Sequence, residues 1–470
     1  MTRSQGGSPQ SPGRTAVVVG GGLAGITAAL ELADAGLEVT LAEARPRLGG
    51  LAFSFKRGDL TVDNGQHVFL RCCTAYQWFL DRIAARDLVT LQDRLDVPVV
   101  DADTGRTGRL SRAALPVPLH LAASLARYPH LSLRERASVG RAALALRGLD
   151  LSDPALDTVG FGSWLAGRGQ SARTIEALWD LVGVATLNAT AANSSLGLAA
   201  MVFKTGLLTD PGAADIGWAS APLGDLHDGR GRRALDAAGV RTLLRTRTSG
   251  VTRSADGGGW QVSLETGPGR GEHLTADTVV LAVPQREAHA LLPEGAVQHP
   301  EKLLQIGTAP ILNVHVIYDR QVLREPFLAA LGSPVQWVFD RTESSGLTGG
   351  GQYVAVSQSA VEDEIDLPVA ELRDRYLPEL ERVLPAARGA AVRDVFVTRE
   401  RTATFAPTPG VGALRPGPVT RAPGLFLAGA WTATGWPATM ESAVRSGLHA
   451  SREALSALGL PVDNRVLEAA

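Results

Sequence analysis

The stretch TAVVVGGGLAGITAALELADAGLEVTLAEARPRLGG, residues 15–50, decides the fold. Val17-Val18-Val19 is an apolar β-branched run, and Gly20-Gly21-Gly22-Leu23-Ala24-Gly25 follows as a sharp turn. Leu23, Ile26, Leu30 and Ala33 lie close to helical spacing, which predicts a helix to about Ala35, stopped by Gly36. Val39-Thr40-Leu41 then reads as a second strand ending at Glu43. Strand, glycine turn, helix and a terminal acid roughly 20 residues on make up a dinucleotide-binding unit. Gly20 makes the turn, Gly22 admits a pyrophosphate to the backbone, and Gly25 lets helix lie on strand. The helix start offers unpaired N–H groups and the positive dipole end, and Glu43 is set to accept from ribose hydroxyls.

A chain of 470 residues with 45% hydrophobic content has room for two domains. A net charge of −2 carries no nucleic-acid footprint. No run of about 18 apolar residues suggests a spanning helix. Residues 1–13 have no apolar core of a secretory signal and read as a disordered leader. The two cysteines are adjacent, Cys72-Cys73, with no metal-ligand spacing, which fits a reducing cytoplasm and predicts no metal.

Further along, Gly49-Gly50 lets a loop pass close over a ligand, and a neighbouring arginine can pair with phosphate. Residues 110–149 are leucine- and arginine-rich. Ser132 and Glu135 form a capping-box pattern ahead of a helix over 133–147. Leu133 and Leu144 share one stripe of it, and Val139 and Leu146 another. Two readings stand: arginines snorkelling at a membrane surface, or a helix packed on two sides. Residues 155–210 read as helical and apolar. Strands are expected at 241–253, 260–264 around the 255–259 turn, 277–284, 311–318 and 352–358, with a helix at about 368–384. Near the end a strand delivers Gly429, and a helix starts near Thr439. Two helix starts facing one long ligand fit FAD better than NAD.

GGGLAG with E-A-R-x-R-x-G-G, and LAGAWTATGWPATMESAVRSG at the C-terminal end, resemble the flavin motifs of the flavin amine oxidase and phytoene desaturase superfamily. DNGQHVFLRCCTAY at 63–76, VATLNATAANSS at 184–195 and PLGDLH at 222–227 resemble the hydroxysqualene dehydroxylases, formerly called squalene-associated FAD-dependent desaturases. The resemblance spans about 14–455. It implies an α/β fold, with a Rossmann-like FAD-binding domain of the GR2 type and a mixed-sheet plus helical substrate domain. The expected boundaries are 14–80, 222–290 and 395–456 for the first, and 81–221 and 291–394 for the second, with a tail at 457–470.

The same resemblance implies FAD contacts at Gly20, Gly22, Leu23, Ala24, Gly25, Glu43, Ala44, Arg45, Gly49, Gly50, Gly65, Gln66, His67, Thr248, Gly429, Thr439 and Met440. The resemblance implies an acid at or beside position 430, where this chain has Ala430-Trp431; the polar contact to the flavin's ribityl–phosphate region is left open, with backbone N–H groups of the next helix able to replace it. The implied reaction removes the allylic hydroxyl of hydroxysqualene, a C30 isoprenoid, with reduced flavin. Hydroxide leaves poorly, so a proton donor is expected: His67 by its motif, or Glu400 if burial raises its pKa. Glu441, Arg71 and the cysteine pair are expected to be structural. No second glycine fingerprint marks an NADPH site, so the electron donor is unidentified. An oily substrate implies a peripheral protein at the inner face of the cell membrane, touching it through 110–150 and 196–208. The competing readings are a carotenoid or polyprenyl desaturase, an amine oxidase, and an isoprenoid carrier with a degenerate flavin site.

Overall fold

Thr15–Val19 is the middle strand of a five-stranded, all-parallel sheet in the order Arg241–Leu244, Glu38–Glu43, Thr15–Val19, Thr278–Leu281, Leu425–Leu427. Its valines and all of Thr278–Leu281 are buried, as strands covered on both faces must be. The computed structural model describes residues 14–255, 257–267 and 270–462. The expected leader at 1–13, Asp256 of the 255–259 turn and the tail beyond 462 lie outside the described residues.

Leu23–Asp34 is the first helix, and the C-terminal helix Met440–Ala457 packs against both it and Thr74–Arg82. The two ends of the chain therefore meet beside the same parallel sheet. The stretch expected as one strand at 241–253 is two. It breaks at Arg245 (φ 54°), whose N–H donates to the Arg45 carbonyl. Arg241–Leu244 completes the parallel sheet, and Arg247–Arg253 joins an antiparallel sheet with Trp260–Gly267 and Arg270–Ala276.

A second, seven-stranded mixed sheet runs Val392–Phe405, Thr308–Tyr318, Gln352–Ser359, Trp337–Asp340, Phe327–Leu331, Asp96–Asp101, Thr107–Ser111. Only the pairing of Phe327–Leu331 with Asp96–Asp101 is parallel. Helix Val369–Val383 covers one face through Leu372, Tyr376, Leu380 and Val383.

The 155–210 stretch is several short helices. Leu181–Leu187 ends at Asn188 in the left-handed region, and Leu196–Leu207 follows. Leu196–Leu207 buries Leu196, Leu198, Met201, Val202 and Phe203, so this stretch is core and cannot be a membrane face as expected. Helix Leu133–Arg147 has the expected capping box at Ser132 and Glu135. Its two stripes divide: Val139 and Leu146 are buried, whereas Leu133 is 79% and Leu144 59% exposed. The helix packs on one side only. No helix among the described residues is long and apolar enough to cross a membrane.

Candidate functional site: the glycine turns and the Asp63–His67 loop

Gly20 turns the chain at φ +105°, and a side chain there would bring its Cβ within 2.3 Å of the Ala282 carbonyl oxygen. A Cβ on Gly25 would fall 1.9 Å from the Gly20 oxygen, so the helix rests directly on the turn. Gly22 caps the helix with no side-chain bond, and Ile26 N–H to the Gly22 carbonyl is the first helical bond. The N–H groups of Leu23, Ala24 and Gly25 thus have no intrahelical partner and carry the positive dipole end.

The second glycine pair lies over the first. Gly49 N–H donates to the Gly21 carbonyl (2.9 Å), and a Cβ on Gly50 would approach Gly22 Cα to 2.9 Å. The Glu43 carboxylate, expected to meet a ribose, accepts within the protein from two N–H groups: Gly21 on one oxygen and Arg45 on the other, both at 2.6 Å. Each oxygen keeps a lone pair for a further donor. Ala44 and Arg45 are exposed at the strand end. Arg47 lies with its guanidinium 3.4 Å from the centroid of the Phe53 ring and donates to the Gly50 carbonyl. Thr248 is buried on the neighbouring antiparallel sheet, and its hydroxyl has no partner.

The DNGQH loop is held from below. Asp63 pairs with Arg341 at 2.6 Å, both nearly buried, and also accepts from Ser54 Oγ and Leu223 N–H. Asn64 bridges Phe53 N–H, the Leu51 carbonyl and one Glu400 oxygen (3.0 Å). Thr398 donates to the Asn64 carbonyl and is bonded by His315 Nε2, whose Nδ1 meets Tyr353 Oη at 2.7 Å. Gly65, Gln66 and His67 follow, and Gln66 Nε2 is buried with no partner. His67 Nδ1 lies 3.1 Å from the Gly65 carbonyl, which can only accept. Nδ1 therefore carries the proton, and in the neutral ring Nε2 is an acceptor. Burial pushes the His67 pKa down, favouring that neutral form. The imidazole is thus set to take a proton rather than give one, contrary to the donor role expected for it. Glu400 is only half-buried, so the burial on which its expected role rested is partial in the protein alone.

At the C-terminal end, Gly429 N–H donates to Ser446 Oγ (2.8 Å), and Thr439 caps the last helix by accepting from Ser442 N–H. Met440 is the first residue of that helix. The Ala430 carbonyl accepts from Ser442 Oγ (3.1 Å), which ties the residue standing where relatives carry an acid to the last helix. Arg415 is buried and donates to the carbonyls of Ala430, Trp431, Thr432 and Trp436, fixing the whole loop. Burial pushes its pKa down to about 10. Glu441 accepts from Ala75 and Tyr76 N–H and pairs with Arg445, so it caps a neighbouring helix. Arg71 binds Asp215, and both cysteines are free thiols. A hydrogen bond to Cys72 and burial raise the Cys73 pKa, so it is inert.

Sequence reasoning missed Arg341, Arg415 and His227. His227 is fully buried, with Nδ1 on the Ala52 carbonyl and Nε2 on Tyr76 Oη, and burial lowers its pKa to about 4. PLGDLH carried the only signal for His227; the two arginines had none.

Three features fit an FAD: the uncapped helix start facing the Gly22–Gly50 cradle, the unpartnered Gln66 amide, and the unpartnered Thr248 hydroxyl. Residues 23–455 match the flavin containing amine oxidoreductase family, and the chain belongs to it. It is an FAD-dependent oxidoreductase. Among its relatives are the hydroxysqualene dehydroxylases of Rhodopseudomonas palustris (30% identical, over 94% of this chain and 99% of the relative) and Sinorhizobium fredii (29%, over 93% and 98%). The zeta-carotene desaturase of Zea mays is 25% identical over 94% of this chain and 83% of its own. The fold is shared with cyclohexylamine oxidase from Brevibacterium oxydans (TM-score 0.69, 19% identity, 95% and 100% covered).

Proposed function

We propose that this protein converts hydroxysqualene to squalene and water by reductive loss of the allylic hydroxyl. The observation that carries this reading is the likeness, end to end, to relatives named hydroxysqualene dehydroxylase. FAD supplies the hydride when bound and reduced. The glycine turns at Gly20–Gly25 and Gly49–Gly50 and the helix start at Thr439–Met440 hold it, with Glu43 and Thr248 on its adenosine side and Gly65–His67 beside its ring. The unit 14–80, 222–290 and 406–456 carries the cofactor, and 81–221 and 291–405 enclose the substrate; the boundary expected at 394/395 moves because Val392–Phe405 is one strand of the seven-stranded sheet.

The leaving oxygen needs a proton. His67 presents an acceptor, so we assign the donor role to Glu400, the carboxyl tied to the loop through Asn64. The substrate is a C30 isoprenoid alcohol, apolar apart from one hydroxyl. Each methylene is worth about 0.8 kcal/mol against water, so it resides in a bilayer and the protein works peripherally at one. The electron donor is a separate partner.

Anaerobic, photoreduced holoenzyme given hydroxysqualene is expected to yield squalene in single turnover. Absence of squalene, with desaturated product from zeta-carotene and oxidised holoenzyme, overturns the reading. The zeta-carotene desaturase relatives favour that second reaction, which runs hydride transfer in the opposite direction.

A further inference from the structure

We infer that a groove lined by Arg94, Arg109, Arg112 and Arg127 takes the phosphate headgroup of an anionic phospholipid, and that the adjoining loop 113–119 enters the bilayer. The inference rests on the peripheral, bilayer-fed reading above and locates its docking edge. The groove encloses about 410 Å³ beside the edge strand Thr107–Ser111, and no carboxylate lines it. Arg112 is held by the fully buried Asp215, which it shares with Arg71, with Asp210 also close by. Arg109 is matched by Asp96 and Glu325 on the rim. Arg94 and Arg127 are exposed and form no ion pair with any described residue. Two guanidiniums are therefore free to meet phosphate oxygens in the bidentate geometry that suits them.

The loop beside this groove, Ala113-Ala114-Leu115-Pro116-Val117-Pro118-Leu119, carries no ionisable group. Leu115 is 46% and Leu119 54% exposed. Ala113 N–H donates to the His120 carbonyl (2.7 Å), closing the loop at its base. Pro116 and Pro118 have no N–H, so the tip gives up fewer donors on leaving water. Helix Ala122–Arg127 connects this edge to Leu133–Arg147, where Arg136 donates to the Ala126 carbonyl. That helix turns Leu133 and Leu144 outward with Arg134 and Arg141 beside them. Among the described residues, Leu115, Leu119, Leu133 and Leu144 are exposed large apolar side chains on this connected edge. Apolar tip and arginine collar together match a bilayer with a negative surface.

Flotation of the full chain with phosphatidylcholine vesicles, with and without phosphatidylglycerol, tests this. The wild type is expected to float with the anionic vesicles and far less with neutral ones. The pair Arg94→Gln/Arg127→Gln is expected to lower anionic binding roughly 25-fold, at about fivefold per arginine. Leu115→Ser/Leu119→Ser should abolish flotation, while Leu304→Ser, at an exposed leucine outside this surface, should float like wild type. All variants should make squalene from detergent-dispersed substrate at the wild-type rate, which also reports that they fold. Flotation of both pairs at wild-type level, equal wild-type binding to both vesicles, or none to either, overturns the docking site. Intact flotation without squalene supports the docking site and removes the substrate reading alone.

Discussion

Replacing Gly22 by alanine separates the protein's own packing from that of its cofactor. A Cβ at Gly22 meets only Gly50 Cα, at 3.7 Å, which is ordinary contact. The backbone there, φ −73° and ψ 178°, is open to any residue. Alanine gains about 0.4–1 kcal/mol by narrowing the unfolded ensemble and loses a similar amount as a poorer helix cap. The apoprotein should therefore melt within about 1 kcal/mol of wild type. The new methyl group, however, stands in the cradle we propose for the pyrophosphate, beside the N–H groups of Leu23 to Gly25. Losing one charge-assisted hydrogen bond costs about 1.5–3 kcal/mol, which is roughly a 10- to 150-fold rise in Kd for FAD. Gly25→Ala is the contrast, because its Cβ would lie 1.9 Å from the Gly20 oxygen and the turn itself must break. Apoprotein melts and FAD titration by flavin fluorescence quenching read the two effects separately. A Gly22→Ala protein that binds FAD with unchanged Kd refutes the placement of the pyrophosphate.

Glu400→Gln keeps the bond to Asn64 but cannot give a proton; kcat for squalene formation should fall about 10²- to 10⁴-fold with FAD binding unchanged, and an unaltered kcat rules Glu400 out as donor. Arg341→Met strands the buried Asp63 carboxylate and should cost about 3–5 kcal/mol in denaturant unfolding, whereas Asp63→Asn/Arg341→Met should recover much of it; equal losses would show that the pair is not coupled. His227 and His315 are buried, with pKa values pushed down to about 4 and about 3, so the folded state holds them neutral while the unfolded chain takes up protons below about pH 6.5. Their stabilisation is complete above that pH and is lost on acidification at about 1.4 kcal/mol per pH unit for each. Unfolding midpoints should drop between pH 6.5 and 5 with a shallower slope in His227→Gln, and a flat profile in the wild type would contradict the burial.

The sequence by itself determined what short-range backbone geometry encodes. The strand, glycine turn and helix of residues 15–34, the capping box at Ser132 and Glu135, and the helix start at Thr439 follow from residue types a few positions apart, and the structure has each where it was read. Only the tertiary structure decided the rest, because burial and partnership depend on residues far away in the chain. Asp63 finds its guanidinium 278 residues on, at Arg341. Arg415 gathers four carbonyls that give no local sign of needing it. The apolar run 196–207 carries the same composition whether it faces lipid or core, and packing alone made it core. His67 was marked by its motif, but its proton position is set by one carbonyl, Gly65, whose direction the folded loop dictates.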